Sequence, residues 1–89
     1  MRIQEAIQRI RRMEECFTRL QNAVHTNSRA ITEDPGLQEA LEALIRYYQG
    51  GQWLRDYELD EQGLLPQDLK RGVLSQDGIY DFLDRIQAE

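Results

Sequence analysis

Apolar residues near the start of the chain recur at steps of three and four positions. Within residues 3–24 they are Ile3, Ala6, Ile7, Ile10, Met13, Phe17, Leu20 and Val24. At 100° per residue these positions fall within a stripe about 140° wide, which is the pattern of a helix that buries one face. The spacing predicts one long amphipathic helix that reaches about Asn27.

Asp34 and Pro35 indicate where a second helix begins. Proline suits the first helical position because its missing N–H is not needed there, and an aspartate before it can accept hydrogen bonds from the first turn. Gly50 and Gly51 end this helix, because glycine enters the left-handed conformation at little energetic expense. We expect it to pack antiparallel to the first helix with these residues inward: Leu37, Leu41, Leu44, Ile45 and Tyr48.

Shorter helical segments are predicted in the rest of the chain. Trp53 and Tyr57 have helical spacing, so we expect a short helix up to about Glu61 that Gly63 stops. Trp53 is expected to anchor the core, with one acceptor for its indole N–H. Residues 66–71 are predicted to form a single helical turn that begins at Pro66.

The last helix is predicted to begin after Ser75. Gly72 closes the preceding turn, residues 73–74 form an apolar hinge, and the Ser75 side chain is a good N-terminal cap. Asp77 lies in the first turn, where a negative charge suits the helix dipole. The inward stripe of this helix is Ile79, Phe82, Leu83 and Ile86. No stretch alternates with period two long enough to predict a strand, so the fold class is all-α, a small bundle in one domain over residues 1–89.

Charge divides the chain into two parts that attract each other. Residues 1–32 carry six arginines against three glutamates, whereas residues 33–89 carry thirteen acidic and five basic side chains. Basic side chains of the first helix, Arg9, Arg12 and Arg19 among them, are therefore expected to be solvated or to pair with the acidic part. Since the net charge of −5 repels phosphate, we do not expect nucleic-acid binding.

Composition and cysteine use point to a cytoplasmic protein without a membrane segment. Apolar runs are far shorter than the roughly 20 residues that a membrane span needs, and the N-terminus lacks the apolar stretch of a signal peptide. The single cysteine, Cys16, forms no internal disulfide and leaves no thiolate cage for a metal. Cys16 and His25 are nine positions apart on one predicted helix, on opposite sides of its axis, so they form no catalytic dyad within one chain. We expect no metal, no cofactor and no enzymatic activity.

An acidic run in residues 56–61 is a candidate interaction surface. Its alternating carboxylates suggest a calcium-binding loop, but the sixth and twelfth positions, Glu61 and Gln67, are wrong for an EF-hand. We interpret the run as a solvated face or as a docking surface for a basic partner. Its members are Asp56, Glu58, Asp60 and Glu61, with Tyr47 and Tyr57 nearby.

Lys70, Arg71 and Ser75 form a second candidate site. They lie where an anion could bind against the N-terminus of the last helix. The order of residues is not that of a P-loop. The alternative interpretation is structural: the two basic residues and Gly72 end one turn and Ser75 caps the next helix.

One long segment resembles a family that is known only as a domain of unknown function. The segment lies within residues 39–86 and reads YYQGGQWLRDYELDEQGLLPQDLKRGVLSQDGIYDFL. It is similar to that family of short, acidic, helical bacterial proteins in its paired aromatics, its tryptophan among acidic residues and, most specifically, its DLKRGVLS block. The resemblance implies an all-helical fold and brings no activity, cofactor or catalytic residue.

Two functions from different classes follow from these patterns. The first is a non-enzymatic helical module that binds a protein partner or self-associates through its first helix. The second is a small-ligand or phosphate-binding protein, with an enzyme as one form of it. It would use Lys70, Arg71 and Ser75 with aromatic walls formed by Tyr47, Tyr48, Trp53 and Tyr57. A third hypothesis is mimicry of nucleic acid by the acidic part.

Overall fold

The structure, a computed structural model, describes residues 3–27 and 29–88. These residues contain five α-helices and one 3₁₀ turn. In chain order they are α1 (Ile3–Thr26), α2 (Ala30–Glu33), α3 (Pro35–Gln49), α4 (Gln52–Glu61), the 3₁₀ turn (Gly72–Leu74) and α5 (Gln76–Ala88). No strand occurs among these residues, and the all-α prediction is confirmed. None of the described helices combines the length and the apolar character that crossing a membrane requires.

The apolar stripe of α1 is buried within its own chain. Ala6, Ile10 and Leu20 have no exposed surface, and Met13 and Phe17 keep less than a tenth of theirs. The predicted stripe is therefore confirmed. Since burying each large apolar side chain contributes about 1.5–3 kcal/mol, this face supplies much of the core. Ile3, Ile7 and Val24 of the same stripe are half-buried.

α3 runs antiparallel to α1, as predicted. Arg9 near the start of α1 and Tyr47 near the end of α3 both bind the side chain of Asp56. The start of α3 is set by Asp34, whose carboxylate accepts from the Gly36 N–H at 2.9 Å. The inward face was predicted slightly out of register: Tyr47 is buried, whereas Leu41, Ile45 and Tyr48 are half-buried.

α4 and α5 complete the core. Trp53 is buried, and its indole N–H donates to the Val73 carbonyl at 2.9 Å, which confirms the predicted anchor and its single acceptor. Ser75 caps α5, since its hydroxyl accepts from the Gly78 N–H at 3.2 Å. The Phe17 and Phe82 rings meet edge to face, with centroids 5.4 Å apart, and place α5 against the second half of α1.

Residues 66–74 differ from the sequence prediction. Residues 66–71 form one hydrogen-bonded turn, with Leu69 N–H donating to the Pro66 carbonyl at 3.3 Å, and no helix. The Arg71 guanidinium also donates to the Pro66 and Leu69 carbonyls, so a side chain satisfies groups that a helix would pair with backbone N–H. Residues 73–74 are not a hinge but a buried part of the 3₁₀ turn that Gly72 begins.

Candidate functional site

The most highly organised polar cluster is centred on the carboxylate of Asp56. Arg9 donates through Nε to Oδ2 at 2.9 Å and through Nη2 to Oδ1, and the Tyr47 hydroxyl donates to Oδ2 at 2.7 Å. Asp56 has no solvent-exposed surface and Tyr47 keeps 2% of its own. These three hydrogen bonds and the opposite charge of Arg9 satisfy a carboxylate that would otherwise be costly to bury.

Two predicted members of the interaction surface, Asp56 and Tyr47, were therefore placed wrongly. On a helix, two positions correspond to about 200° of rotation, so Asp56 and Glu58 face opposite sides of α4. Glu58 and Glu61 are exposed, whereas Asp60 is half-buried and pairs with Arg71. The acidic run is divided between the core, an ion pair and the surface.

The cluster shifts the ionisation of its members. Burial, reinforced by the hydrogen bond to Asp56, raises the pKa of Tyr47 well above its ordinary value of 10.0. The hydrogen bond to Asp56 likewise raises the pKa of Arg9, although burial acts in the opposite direction. Both shifts favour the protonated forms, a neutral phenol and a charged guanidinium.

The second candidate site is not assembled as the anion-binding interpretation requires. Arg71 uses three of its N–H donors inside the chain, one for the Asp60 carboxylate and two for the Pro66 and Leu69 carbonyls. The Ser75 hydroxyl caps α5. Lys70 is exposed and lines a groove of about 270 Å³ beside α1, together with three carboxylates. The residues that line this groove are Arg11, Glu14, Glu15, Asp68, Leu69 and Lys70. The geometry favours the capping interpretation for Ser75 and an ion pair for Arg71.

A contact that the sequence did not predict joins α1 to the DLKRGVLS block. Oε1 of Glu14 accepts from the Val73 N–H at 2.7 Å. A Cβ at position 72 would lie 3.1 Å from Oε2 of Glu14, so glycine lets the carboxylate approach the backbone closely. Glu14 is one of three glutamates in a basic helix, and nothing in its spacing distinguishes it from Glu15.

Aromatic rings of α3 and α4 pack against one another in a row. Trp53 lies between two tyrosines: its ring centroid is 5.0 Å from Tyr48, edge to face, and 5.1 Å from Tyr57, stacked. Tyr80 of α5 is 56% exposed and lines a small cavity together with Tyr48. Of these four rings only Trp53 belongs to the core, and Tyr80 was not among the predicted site residues.

Carboxylates of α4 and α5 lie near these rings. The nearby Glu61 carboxylate favours the protonated phenol and raises the pKa of Tyr57, and the charges of Asp60 and Asp77 act in the same direction. Asp84 lines the cavity between Tyr48 and Tyr80. We call this surface the aromatic face and define it by Tyr48, Tyr57, Tyr80, Glu61, Asp77 and Asp84. Its acidic members on α5 lie more than 15 positions from Glu61, so a sequence pattern does not group them.

The remaining chemical candidates do not form a site. Cys16 and His25 lie on the one continuous helix α1, where Cys16 is half-buried and His25 is exposed. No group of three or more metal-ligating side chains (His, Cys, Asp or Glu) is placed to hold a metal ion within residues 3–27 and 29–88.

Comparison with known families identifies the chain. The sequence model of a domain of unknown function, DUF4298, matches residues 10–88. The chain belongs to this family. The DUF4298 match includes Glu14, Asp56, the DLKRGVLS block and the whole aromatic face, and it begins one residue after Arg9. No curated protein and no solved structure was found to match.

Proposed function

We propose that this DUF4298 protein is a non-enzymatic interaction module that docks a basic polypeptide segment on its aromatic face. The observation that carries the proposal is that the exposed Tyr80 lines a cavity with Tyr48 and Asp84, while Tyr57 stacks on Trp53 one helical turn before Glu61. Interfaces are enriched in tyrosine and arginine, and complementary charge speeds the encounter of partners. Tyrosine rings with carboxylates nearby suit a segment rich in arginine or lysine.

The aromatic face is supported from within the core. Trp53 is fixed by its hydrogen bond to Val73, and Tyr48 and Tyr57 pack on its two sides. Rings that are already ordered lose little conformational entropy on binding, which favours affinity. The face therefore has the rigidity of a preformed binding surface.

Interior chemistry supports a binding role over a catalytic one. The buried Asp56 carboxylate already accepts three hydrogen bonds from Arg9 and Tyr47, so these groups are committed to one another. Arg71 is committed in the same way to Asp60 and the backbone. The charged groups left for a partner are on the surface, where they contribute to recognition.

A second copy of the chain is one form that the basic partner can take. Arg11, Arg12 and Arg19 are exposed on α1, opposite its buried stripe. Self-association through the first helix would then use these charges and not the apolar stripe. We place this binding in the cytoplasm, which the lone free thiol of Cys16 supports.

Peptide binding tests the proposal. A blocked peptide of four arginines alternating with serines is titrated by calorimetry into the full chain and into the Glu61→Gln/Asp77→Asn variant. We expect the variant to bind at least about tenfold more weakly, and added salt to weaken binding to the unchanged protein.

The matched control removes the same two charges elsewhere. Glu39 and Glu42 are exposed on α3 and are not part of the aromatic face. Glu39→Gln/Glu42→Gln should retain most of the affinity. Equal losses in both variants, or no binding of the peptide by the unchanged chain, would overturn the proposal.

A further inference from the structure

A small cavity lies within the aromatic face, between the end of α3 and the middle of α5. Its lining is Tyr48, Gln49, Tyr80, Leu83 and Asp84, and its volume is about 120 Å³. Leu83 is buried, whereas Tyr80 and Asp84 are exposed. The cavity thus has an apolar floor, two phenol rings and one carboxylate.

The carboxylate of Asp84 has no ion-pair partner within the described residues. The ion pairs there are Arg9 with Asp56 and Arg71 with Asp60. The neighbouring Arg85 lines a different cavity, with His25 of α1. The negative charge at the mouth of the cavity is therefore open to a cation from outside.

We propose that this cavity binds an arginine side chain, with its guanidinium between Tyr48 and Tyr80 and paired with the Asp84 carboxylate. The proposal rests on the proposed function and assigns one specific subsite to the basic segment. The faces of the two rings attract a cation, and a carboxylate can accept two parallel hydrogen bonds from a guanidinium. The methylene groups of the side chain would lie on Leu83.

Arginine fits this lining better than lysine. A guanidinium is planar, stacks on aromatic rings and is more weakly hydrated than an ammonium, so it loses less on entering a partly apolar cavity. The amide of Gln49 and the tyrosine hydroxyls supply further acceptors for its five N–H donors. A lysine would use at most three donors and would have to give up a stronger hydration shell.

Three blocked peptides separate the charge of the ligand from its shape. In each, four arginines, lysines or citrullines alternate with serines, and binding to the full chain is followed by calorimetry and by backbone amide shifts in NMR spectra. We expect the arginine peptide to bind at least about tenfold more tightly than the citrulline peptide, which lacks the charge, and a few-fold more tightly than the lysine peptide. The largest amide shifts should fall in the segments around Tyr48 and Tyr80.

Variants of exposed residues test the lining without threatening the fold. Tyr80→Leu keeps apolar bulk but removes the ring, and Asp84→Asn removes the charge; each should weaken arginine binding several-fold. Tyr80→Phe keeps the ring and should retain most of the affinity. Asp81→Asn is the matched control, since Asp81 is exposed on the same helix and does not line the cavity.

The outcomes distinguish this inference from the proposed function. If the arginine peptide binds and Glu61→Gln/Asp77→Asn weakens it, while Tyr80→Leu and Asp84→Asn behave like Asp81→Asn, the docking face stands and the arginine subsite is wrong. Tighter binding of the lysine peptide would also overturn the assignment to arginine. If none of the peptides binds, both proposals fail.

Discussion

The guanidinium of Arg9 and the carboxylate of Asp56 form a buried ion pair across 47 positions of the sequence. Asp56 is completely inaccessible, and the Arg9 side chain is only 20% exposed. Because Tyr47 donates to the same carboxylate, α1, α3 and α4 meet at a single charge. One specific ion pair therefore joins the basic part of the chain to the acidic part here.

Replacing Asp56 by alanine should lower the free energy of unfolding by about 3–5 kcal/mol. The change leaves the Arg9 charge and the Tyr47 hydroxyl partly buried without their acceptor. Urea unfolding followed by far-ultraviolet circular dichroism measures the effect. Glu58→Ala is the control, since Glu58 is exposed on the same helix and its loss should change stability by no more than about 0.5 kcal/mol.

If Asp56→Ala does not fold, Tyr47→Phe provides a milder form of the same test. It removes one hydrogen bond to Asp56 and keeps the ring, so a loss of roughly 1–2 kcal/mol is expected. Wild-type stability in Tyr47→Phe, or in an Asp56→Ala protein that does fold, would show that the cluster does not hold the three helices together.

Stability should fall as the pH rises above about 10, and Tyr47 should account for part of the fall. The folded protein raises the pKa of Tyr47 above its unfolded value of 10.0, so above that pH the unfolded chain releases a proton that the folded chain retains. The stabilising contribution is fully present below pH 10 and is lost as the pH rises towards the folded pKa.

Urea midpoints measured at several pH values between 8 and about 11.5 check this expectation. Tyr47→Phe should show a shallower decline than the unchanged protein over this range. Tyr80→Phe serves as the control, because it removes the same hydroxyl at an exposed position outside the Asp56 cluster. Parallel declines in the unchanged protein and Tyr47→Phe would contradict the role of Tyr47.

Periodicity predicted most of the helices because helix formation and burial of an apolar stripe leave a regular mark on the sequence. The stripe of α1, the caps at Asp34 and Ser75 and the stop at Gly63 were all found. Residues 66–71 were predicted to be helical but form a non-helical turn. The conformation of this turn depends on the interactions of Arg71 with two carbonyls and with Asp60, which the local sequence does not reveal.

The candidate site was predicted less well because its members come from separate helices. The acidic run in α4 looked like one surface, yet Asp56 is at the core and Asp60 pairs with Arg71. The partners that α5 adds to the aromatic face, Tyr80 and Asp84, are brought to Tyr48 only by tertiary packing. Local spacing carries no information about such contacts.

Glu14→Ala should destabilise the protein by about 1–3 kcal/mol, because the Val73 N–H loses its acceptor. Urea unfolding measures the change, and Glu15→Ala is a control with the same chemistry at the next, exposed position. Gly72→Ala should be less harmful in the Glu14→Ala protein than in the unchanged one, since its new Cβ would no longer crowd the carboxylate. Equal effects of Glu14→Ala and Glu15→Ala would mean that the contact adds nothing to stability.

Gly51→Ala should lower the free energy of unfolding by roughly 1–2 kcal/mol through the backbone alone. Gly51 precedes α4 with φ of 94°, a conformation that side chains with a Cβ rarely adopt, and no atom lies within 4 Å of where that Cβ would be. Gly51→Asn should lose less than Gly51→Ala, because asparagine tolerates positive φ better. Urea unfolding of the two variants provides the measurement, and an alanine variant as stable as the unchanged protein would show that α3 and α4 can be joined without this conformation.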